Sequence, residues 1–169
     1  MIFLTVGTQL PFDRLSSCVD AWCAQAGSDV KVVGQIGRLA PESYRPKHFE
    51  WMEMVDPPAF DRHIREASVI VSHAGMGSII TAMSAGKPIA ILPRRAHLGE
   101  QRNDHQFATA QKLGTRPGVF TAMTEDDLPD LIDRVMVKAG SKGDGTLSSF
   151  AEARLIDALR GFIHEGGTG

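Results

Sequence analysis

Short apolar runs alternate with longer amphipathic segments along the chain. The runs at Ile2–Val6, Val69–Ser72 and Ile89–Leu92 are almost continuously apolar. Unbroken apolar runs of this length are typical of strands that are buried on both faces of a parallel sheet. Because strands that alternate with helices form βαβ units, the pattern predicts an α/β protein: a single Rossmann-like domain with a mostly parallel sheet of about five or six strands.

The other predicted elements complete this alternation. Pro57 is placed at a helix start, where its missing N–H leaves no hydrogen bond unmade, and Asp13 and Thr124 are residue types that cap helix N-termini. The remaining predicted strands are Val30–Val33, His48–Met54 and Gly118–Phe120, and the predicted helices are Asp13–Ala26, Pro57–Glu66, Ser78–Ala85, Asn103–Leu113 and Thr124–Val137. Together they predict one domain over residues 1–138.

The end of the chain has a different pattern. Residues 139–146 are small and polar and predict a flexible linker, and residues 147–164 predict an amphipathic helix with Leu147, Phe150, Leu155, Leu159 and Phe162 on one stripe. This helix has two interpretations: it packs back on the domain, or it docks on a partner chain.

Composition excludes several classes of protein. The 169 residues carry 18 Lys+Arg against 20 Asp+Glu, and this near-neutral balance argues against a nucleic-acid binder. Two cysteines, Cys18 and Cys23, are too few for a disulfide framework or a zinc site. The stretch Ala67–Gly86 has no charged residue, but its serines and central glycines favour a strand, loop and helix over a membrane span. With no visible signal peptide, a cytoplasmic protein is expected.

Familiar catalytic signatures are missing. No G-x-G-x-x-G follows a strand, there is no G-x-S-x-G elbow, and Pro88 stands where a P-loop needs Ser or Thr. His97, Glu100, Asp104 and His105 lack the spacing of a metal site. No metal and no cofactor are therefore expected.

The most informative segment is Ser72-His73-Ala74-Gly75-Met76-Gly77-Ser78, between a buried strand and a helix. In open α/β sheets, ligands bind outside the carboxyl ends of the strands. Gly75 and Gly77 allow a ligand to approach the backbone, and a helix that starts at Ser78 offers N–H groups to a phosphate. His73 would contact the ligand or satisfy the loop backbone. The segment is either a ligand site, in which Gly75→Val removes binding and leaves the fold intact, or a structural turn.

Three further segments are expected at the same edge of the sheet. Gly7-Thr8-Gln9 and Gly34-Gln35-Ile36-Gly37 follow the first two strands and supply small residues with a hydroxyl or an amide, which suits a sugar or ribose. Asn103-Asp104-His105-Gln106 opens a later helix and is either a helix cap or a set of sugar-hydroxyl ligands.

The combination resembles the C-terminal, donor-binding domain of MurG-like GT-B glycosyltransferases, that is, glycosyltransferase family 28. The residues that carry the resemblance are S-H-A-G-M-G-S, A-G-K-P at Ala85–Pro88, the apolar strand that ends at Pro93, and N-D-H-Q. Val6-Gly7-Thr8 with Phe12-Asp13 is similar to the opening of short subunits of split enzymes, namely the catalytic subunit of the dolichol-linked UDP-GlcNAc transferase and PssE-type subunits of exopolysaccharide glucuronosyltransferases. The resemblance covers about residues 1–137 and implies the C-terminal half of a GT-B fold.

The resemblance also implies a set of donor-binding residues for a UDP-sugar. Gly7 and Thr8 would line the phosphate or acceptor side, Gln35 and Gly37 would lie near the nucleotide, and the backbone at Met54 and Val55 would meet the uracil. Gly75, Gly77 and Ser78 would hold the pyrophosphate, and Asp104, His105 and Gln106 would contact the donor sugar. Thr81 stands where MurG-like enzymes place the glutamate that holds the ribose hydroxyls.

The implied reaction is metal-independent, inverting transfer, with the diphosphate stabilised by a helix N-terminus. Inversion needs a general base on the acceptor hydroxyl, for which His73 is a weak candidate and a partner chain is the alternative. Arg94 and Arg95 have two interpretations: they pair with a uronate carboxylate or a lipid phosphate, or they form a solvated basic turn.

The length adds a partner to this hypothesis. A GT-B enzyme needs two Rossmann-like halves, and 169 residues supply only the donor half. We therefore expect a membrane-anchored, acceptor-binding partner subunit and a lipid-linked sugar acceptor in polysaccharide biosynthesis, with the sugar glucuronate or N-acetylglucosamine. The chain would be cytoplasmic and peripheral at the inner membrane face through this partner. The alternative is a non-catalytic module that binds a nucleotide sugar or regulates another protein.

Overall fold

Residues 1–140 form a six-stranded sheet that is wholly parallel. The computed structural model describes residues 1–140, and the predicted C-terminal helix and most of the linker lie outside them. The strands are β1 (Ile2–Thr5), β2 (Val32–Gln35), β3 (Glu50–Met52), β4 (Val69–His73), β5 (Ile89–Leu92) and β6 (Val119–Thr121). Their order across the sheet is β3-β2-β1-β4-β5-β6. The predicted α/β class and Rossmann-like sheet are confirmed.

Within residues 1–140, five helices cover the two faces of the sheet. They are α1 (Asp13–Ala26), α2 (Pro57–Glu66), α3 (Met76–Ser84), α4 (His105–Leu113) and α5 (Leu128–Gly140). Alternate residues of β1 point to opposite faces, so that Ile2 and Leu4 pack with side chains of α1 and α5, whereas Phe3 packs with side chains of α2, α3 and α4. The predicted strands were apolar throughout because both faces of the sheet are buried.

Two predicted strands had boundaries that were wrong by two residues at each end, and β1, β4 and β6 differ from the prediction by one residue. β2 begins two residues later than predicted because Gly27–Asp29 forms a 3-10 turn before the chain enters the sheet. It ends later because Gly34 and Gln35, predicted as loop, pair with Leu4 and Thr5 of β1. The third strand is shortened to Glu50–Met52, the three residues that pair with β2. Small or polar residues obscured these ends, although the backbone there is paired like any other strand.

Three helix starts also differ from the prediction. α3 starts at Met76, so Gly77 and Ser78 lie inside its first turn. α4 starts at His105, two residues later than predicted. Thr124 does not cap α5: its N–H and hydroxyl donate to Asp127 Oδ2 at 3.2 and 2.7 Å, and the helix begins only at Leu128. The Asp127 side chain binds Thr124 within a turn, so Thr124 does not act as the helix cap that the sequence suggested.

The uncharged stretch from 67 to 86 contains β4 and most of α3, as predicted. Over residues 1–140, no helix combines the length and the apolar character that a membrane crossing requires. Both cysteines are free, and burial, the main cause, raises the pKa of each thiol to about 11.

A buried carboxylate ties the long segment between β2 and β3 to α1. Asp20 is 1% exposed and accepts hydrogen bonds from the Tyr44 hydroxyl (2.7 Å) and from the backbone N–H groups of Lys47 (2.9 Å) and His48 (2.7 Å). Burial by itself would raise the pKa of Asp20, but these donors outweigh it and the pKa is lowered. The segment is therefore anchored by one charge.

We expect Asp20→Asn to lower the free energy of unfolding by about 2 kcal/mol at pH 7, because the negative charge is lost and the amide nitrogen cannot accept the bond that the Tyr44 hydroxyl donates to Oδ2. Because the pKa of Asp20 is lowered on folding, its contribution is present above the unfolded-state pKa of about 3.9 and is lost as the pH falls through the lower folded-state value. Chemical denaturation from pH 7 to pH 2 should show the wild-type advantage shrinking below about pH 4. The exposed Asp29→Asn is the control, and an equal loss there would contradict the assignment.

Candidate functional site

The polar residues that follow the strands open onto one cleft of about 710 Å³. The chain builds β1, β2 and β3 outward and then returns to place β4 on the other side of β1. The carboxyl ends of β1 and β4 therefore form the switch point at which ligands bind in doubly wound sheets. Ten of the predicted site residues line this cleft: Gly7, Thr8, Gln35, Val55, His73, Gly75, Gly77, Ser78, His105 and Gln106.

His73, the last residue of β4, has a fixed tautomer. Ser72 Oγ donates to the Thr5 carbonyl oxygen (2.8 Å), so its oxygen accepts from His73 Nδ1 at 3.1 Å. The proton therefore lies on Nδ1, and Nε2 carries the lone pair. Burial, followed by the charge of Arg94, lowers the pKa of His73 to about 4. The ring is neutral at pH 7 and a weak base there, which favours a hydrogen-bond acceptor over a general base.

Two glycines leave room for the His73 ring. A Cβ on Gly7, whose φ is +85°, would lie 2.9 Å from His73 Cε1. A Cβ on Gly75 would overlap Nε2 and lie 2.7 Å from Cδ2. The expectation that Gly75→Val leaves the fold intact is therefore corrected, because the His73 imidazole occupies the space that a side chain at position 75 would need.

The start of α3 faces the cleft with free backbone donors. Gly75 is the N-cap, and the first intrahelical bond runs from Ile79 N to the Gly75 carbonyl (3.2 Å). The N–H groups before Ile79 are those that a helix leaves without an acceptor of its own. A Cβ on Gly77 would meet no atom of the described chain within 4 Å, so this glycine borders open space. Such a helix start suits an anion.

Gln35 joins two of the loops that border the cleft. Its side chain is buried, its Nε2 donates to the Gly7 carbonyl (3.2 Å), and its Oε1 accepts from Val55 N (3.3 Å). Both ends of the Gln35 amide already bind backbone atoms. The side chain therefore positions the two loops, which is an alternative to the predicted contact with a nucleotide.

Arg94 holds the loop after β1 against the end of β5. The side chain is 4% exposed, and its guanidinium donates to the carbonyl oxygens of Val6 (3.0 Å), Leu10 (2.7 Å) and Pro11 (2.8 Å), with a longer bond to that of Glu100 (3.4 Å). Burial lowers the pKa of Arg94 to about 10, so it remains charged at pH 7. It lines the cleft and adds positive charge to it.

Both interpretations of Arg94 and Arg95 are therefore corrected. Arg94 is buried rather than a solvated basic turn, and its donors bind backbone carbonyls rather than an external carboxylate. Arg95 donates to the Met123 carbonyl (2.8 Å), and its guanidinium lies 4.0 Å from the centroid of the Phe107 ring. The sequence could not distinguish these structural roles from a binding role, because their acceptors are backbone atoms far away in the chain.

Glu100 anchors the segment between β5 and α4. Arg14 binds it with two parallel bonds, Nε to Oε1 (2.7 Å) and Nη2 to Oε2 (2.8 Å), and Arg95 N donates to Oε2 (2.7 Å). Such bidentate, partly buried pairs are the strong ones. This wall of the cleft is therefore held in a defined position.

The polar quartet at the start of α4 divides into two roles. Asn103 and Asp104 bind nearby backbone: Asn103 Oδ1 accepts from His105 N (3.4 Å), and Asp104 Oδ1 accepts from Ala96 N (2.9 Å). Gln106 is buried, and its Oε1 accepts from Arg94 N (3.2 Å). Only His105 and Gln106 of the quartet line the cleft.

Three predicted site residues lie outside the residues that line the cleft. Gly37 faces the backbone of Leu10 and Pro11, Met54 is 39% exposed, and Asp104 holds the turn at Ala96. Within residues 1–140, no three His, Cys, Asp or Glu side chains come together as metal ligands would.

The structure also adds residues that sequence reasoning missed. Phe60 and Asp61 of α2 line the cleft together with Pro57, and Gln101 and Thr109 line it from the side of α4. Spacing offered one signal, because Pro57 and Asp61 are four apart on a helix and share a face. Nothing in the sequence showed that this face borders the cleft.

An all-parallel sheet with a cleft at its switch point and a glycine loop that opens a helix defines the class of the domain. Residues 1–152 match the model of the glycosyltransferase family 28 C-terminal domain. The chain belongs to this family, and the family predicted from the motifs is confirmed.

One curated relative is the UDP-N-acetylglucosamine transferase subunit ALG13 of Homo sapiens. It is 29% identical over 127 residues, which are 70% of this chain and 11% of the relative. The chain thus spans about a tenth of the length of this relative, and the match supports relationship rather than a shared overall activity.

Solved structures share the fold. The glycosyltransferase of kitacinnamycin has a TM-score of 0.62 at 22% identity, over 94% of this chain and 38% of that one. Acinetobacter baumannii MurG has a TM-score of 0.59 at 18% identity, over 94% of this chain and 49% of that one. The NMR structure of ALG13 has a TM-score of 0.54 at 20% identity, over 83% of this chain and 86% of that one. The fold is the C-terminal Rossmann-like half of a GT-B enzyme.

Proposed function

We propose that this chain is the donor-binding subunit of a two-subunit, inverting glycosyltransferase that moves a sugar from a UDP-sugar to a lipid-linked acceptor. The observation that carries the proposal is the position of the α3 N-terminus beside the buried Arg94 in a cleft at the switch point. Backbone donors and one fixed cation suit a diphosphate, which is both the anchor of the donor and the leaving group.

Polar and apolar residues both line the cleft. Gly77 and Ser78 border it at the start of α3, and Val55, Pro57 and Phe60 border it from the loop after β3 and from α2. An apolar wall suits the face of a nucleobase, whereas helix N–H groups suit phosphate oxygens. His105 and Gln106 line the cleft from α4, where the donor sugar is expected.

The proposed transfer uses backbone electrostatics. As the bond between the anomeric carbon and the diphosphate oxygen breaks, negative charge grows on the diphosphate, and the N–H groups of α3 and the Arg94 charge stabilise it without reorganisation. No metal ion is needed for this step. The acceptor hydroxyl must also lose a proton, and because His73 is a weak base at pH 7, we place the general base on the partner.

Two findings support a partner chain. The described fold corresponds to one half of a MurG-type enzyme, and the ALG13 relative is named as a transferase subunit. We propose that a membrane-anchored partner supplies the acceptor half, with glucuronate or N-acetylglucosamine as the sugar and a role in polysaccharide biosynthesis. The chain would then act in the cytoplasm, at the inner membrane face.

Isothermal titration of the full 169-residue chain tests donor binding. We expect UDP and the matching UDP-sugar to bind with a dissociation constant of about 0.1 to 1 mM, and EDTA to leave this value unchanged. ADP serves as the nucleotide control. Absence of UDP binding, both with and without the product of a neighbouring reading frame added as partner, would contradict the proposal.

The second candidate is a non-catalytic module with the same fold, favoured by Thr81 in place of a ribose-binding glutamate. The two differ in one measurement. Radiolabelled sugar should pass from the UDP-sugar to a lipid-linked acceptor when partner membranes and this chain are combined, and to no acceptor when either is omitted. Binding without transfer under these conditions would favour the module.

A further inference from the structure

The ribose of a bound nucleoside diphosphate presents two neighbouring hydroxyls, and the carboxylate that the family resemblance implies for them is absent here. Thr81 lines the cleft one turn after Ser78, at the position where MurG-like enzymes have a glutamate. Its hydroxyl has one donor and two acceptor lone pairs on a single oxygen, whereas the two oxygens of a carboxylate can each accept from one of two neighbouring hydroxyls. A carboxylate elsewhere in the cleft would supply the paired acceptor that Thr81 lacks.

Among the described residues that line the cleft, two carry a carboxylate, Asp61 and Glu100. Both oxygens of Glu100 are engaged, one by Arg14 Nε at 2.7 Å and the other by Arg14 Nη2 and Arg95 N. Asp61 is an exposed residue of α2 whose side chain borders the cleft. Asp61 is therefore the carboxylate that a ligand can reach.

The position of Asp61 matches the place of a ribose. It lies one turn after Pro57 on the same face of α2, so it continues the apolar wall formed by Pro57 and Val55. Thr81 in the same way continues the wall that begins at Ser78 of α3. The ribose joins base and diphosphate, so it must pass between these two walls.

We propose that Asp61 is the specificity-determining residue that binds the ribose, accepting hydrogen bonds from the 2′- and 3′-hydroxyls of a nucleoside diphosphate. This inference rests on the proposed function, because it takes the cleft as a nucleoside diphosphate site. It transfers the ribose contact from α3 to α2 and accounts for the absence of a glutamate at position 81.

The test compares UDP with 2′-deoxy-UDP by titration of the full chain. The wild type should bind UDP about tenfold more tightly, since a hydrogen bond to a charged group changes affinity by about that factor. Asp61→Ala should reduce the ratio to about one by weakening UDP while leaving 2′-deoxy-UDP nearly unchanged. Helix content measured by circular dichroism checks that the variant folds.

Two further variants make the assignment specific. Glu66→Ala removes another exposed carboxylate from α2, outside the residues that line the cleft, and should keep the wild-type ratio. In the double variant Asp61→Ala with Thr81→Glu, the carboxylate returns to the family position, and the preference for UDP should recover.

The outcomes distinguish a failure of this inference from a failure of the proposed function. A tenfold preference that Asp61→Ala abolishes and Thr81→Glu restores supports the inference. A preference that survives Asp61→Ala, or equal binding of the two nucleotides by the wild type, overturns it and leaves the proposed function standing. If the wild type binds neither nucleotide, alone or with its partner, the proposed function itself fails.

Discussion

Replacing Arg94 by Met should lower the free energy of unfolding by at least about 3 kcal/mol and abolish UDP binding. The guanidinium donates to carbonyl oxygens of Val6, Leu10 and Pro11, and it is 4% exposed. Each buried carbonyl that loses its donor costs about 1 to 3 kcal/mol, partly offset where water enters. For a chain of this size, the melting temperature should fall by about 10 °C. Chemical denaturation and isothermal titration measure the two losses.

Two controls separate the roles of Arg94. Arg102→Met alters an exposed arginine in the same segment and should change neither stability nor binding. Arg94→Lys keeps the charge but cannot reach several carbonyls at once, so it should retain little of the lost stability. The loss of charge in Arg94→Met should also raise the pKa of His73, because Arg94 is the second cause after burial of its low value. A melting temperature equal to that of the wild type would contradict the structural role.

The order of elements could be predicted because each strand is apolar on both faces. Their ends could not, since they depend on partners across the sheet. Gly34 and Gln35 look like a turn, but β1 supplies their hydrogen bonds through Leu4 and Thr5. Thr124 has the residue type of a helix cap, but its N–H and hydroxyl donate to the Asp127 carboxylate instead. The local sequence therefore predicts where an element lies, whereas its first and last residues depend on tertiary contacts.

The candidate site likewise contains residues that could be predicted from the sequence and residues that could not. The glycine loop after β4 could be found because a sheet edge, two glycines and a helix start are all local features. Arg94 could not be assigned, because three of its four acceptors lie more than eighty positions earlier in the chain. Asp61 was missed because the face of α2 that meets the cleft is decided by packing. Residues that hold a site together are thus harder to recognise in a sequence than residues that border it.

Gly77→Ala should weaken UDP binding at least tenfold without lowering stability, whereas Gly75→Ala should lower both. A Cβ on Gly77 borders open cleft, so it meets a bound phosphate and no protein atom of the described chain. Alanine at this helical position should leave the free energy of unfolding equal or raise it by up to about 1 kcal/mol. Titration and chemical denaturation of the two variants give the comparison. Unchanged binding by Gly77→Ala would move the diphosphate away from α3.

The loss expected from Gly75→Ala has a different cause, which a double-mutant cycle isolates. The new Cβ would overlap His73 Nε2, and a shift of the ring would break its hydrogen bond with Ser72 Oγ. Overpacking of this kind costs about 1 to 3 kcal/mol. In a His73→Ala background the clash is gone, so Gly75→Ala should cost almost nothing there, and the coupling energy should equal most of its single cost. Additive losses would show that Gly75 is required by the backbone or by a ligand and not by the imidazole.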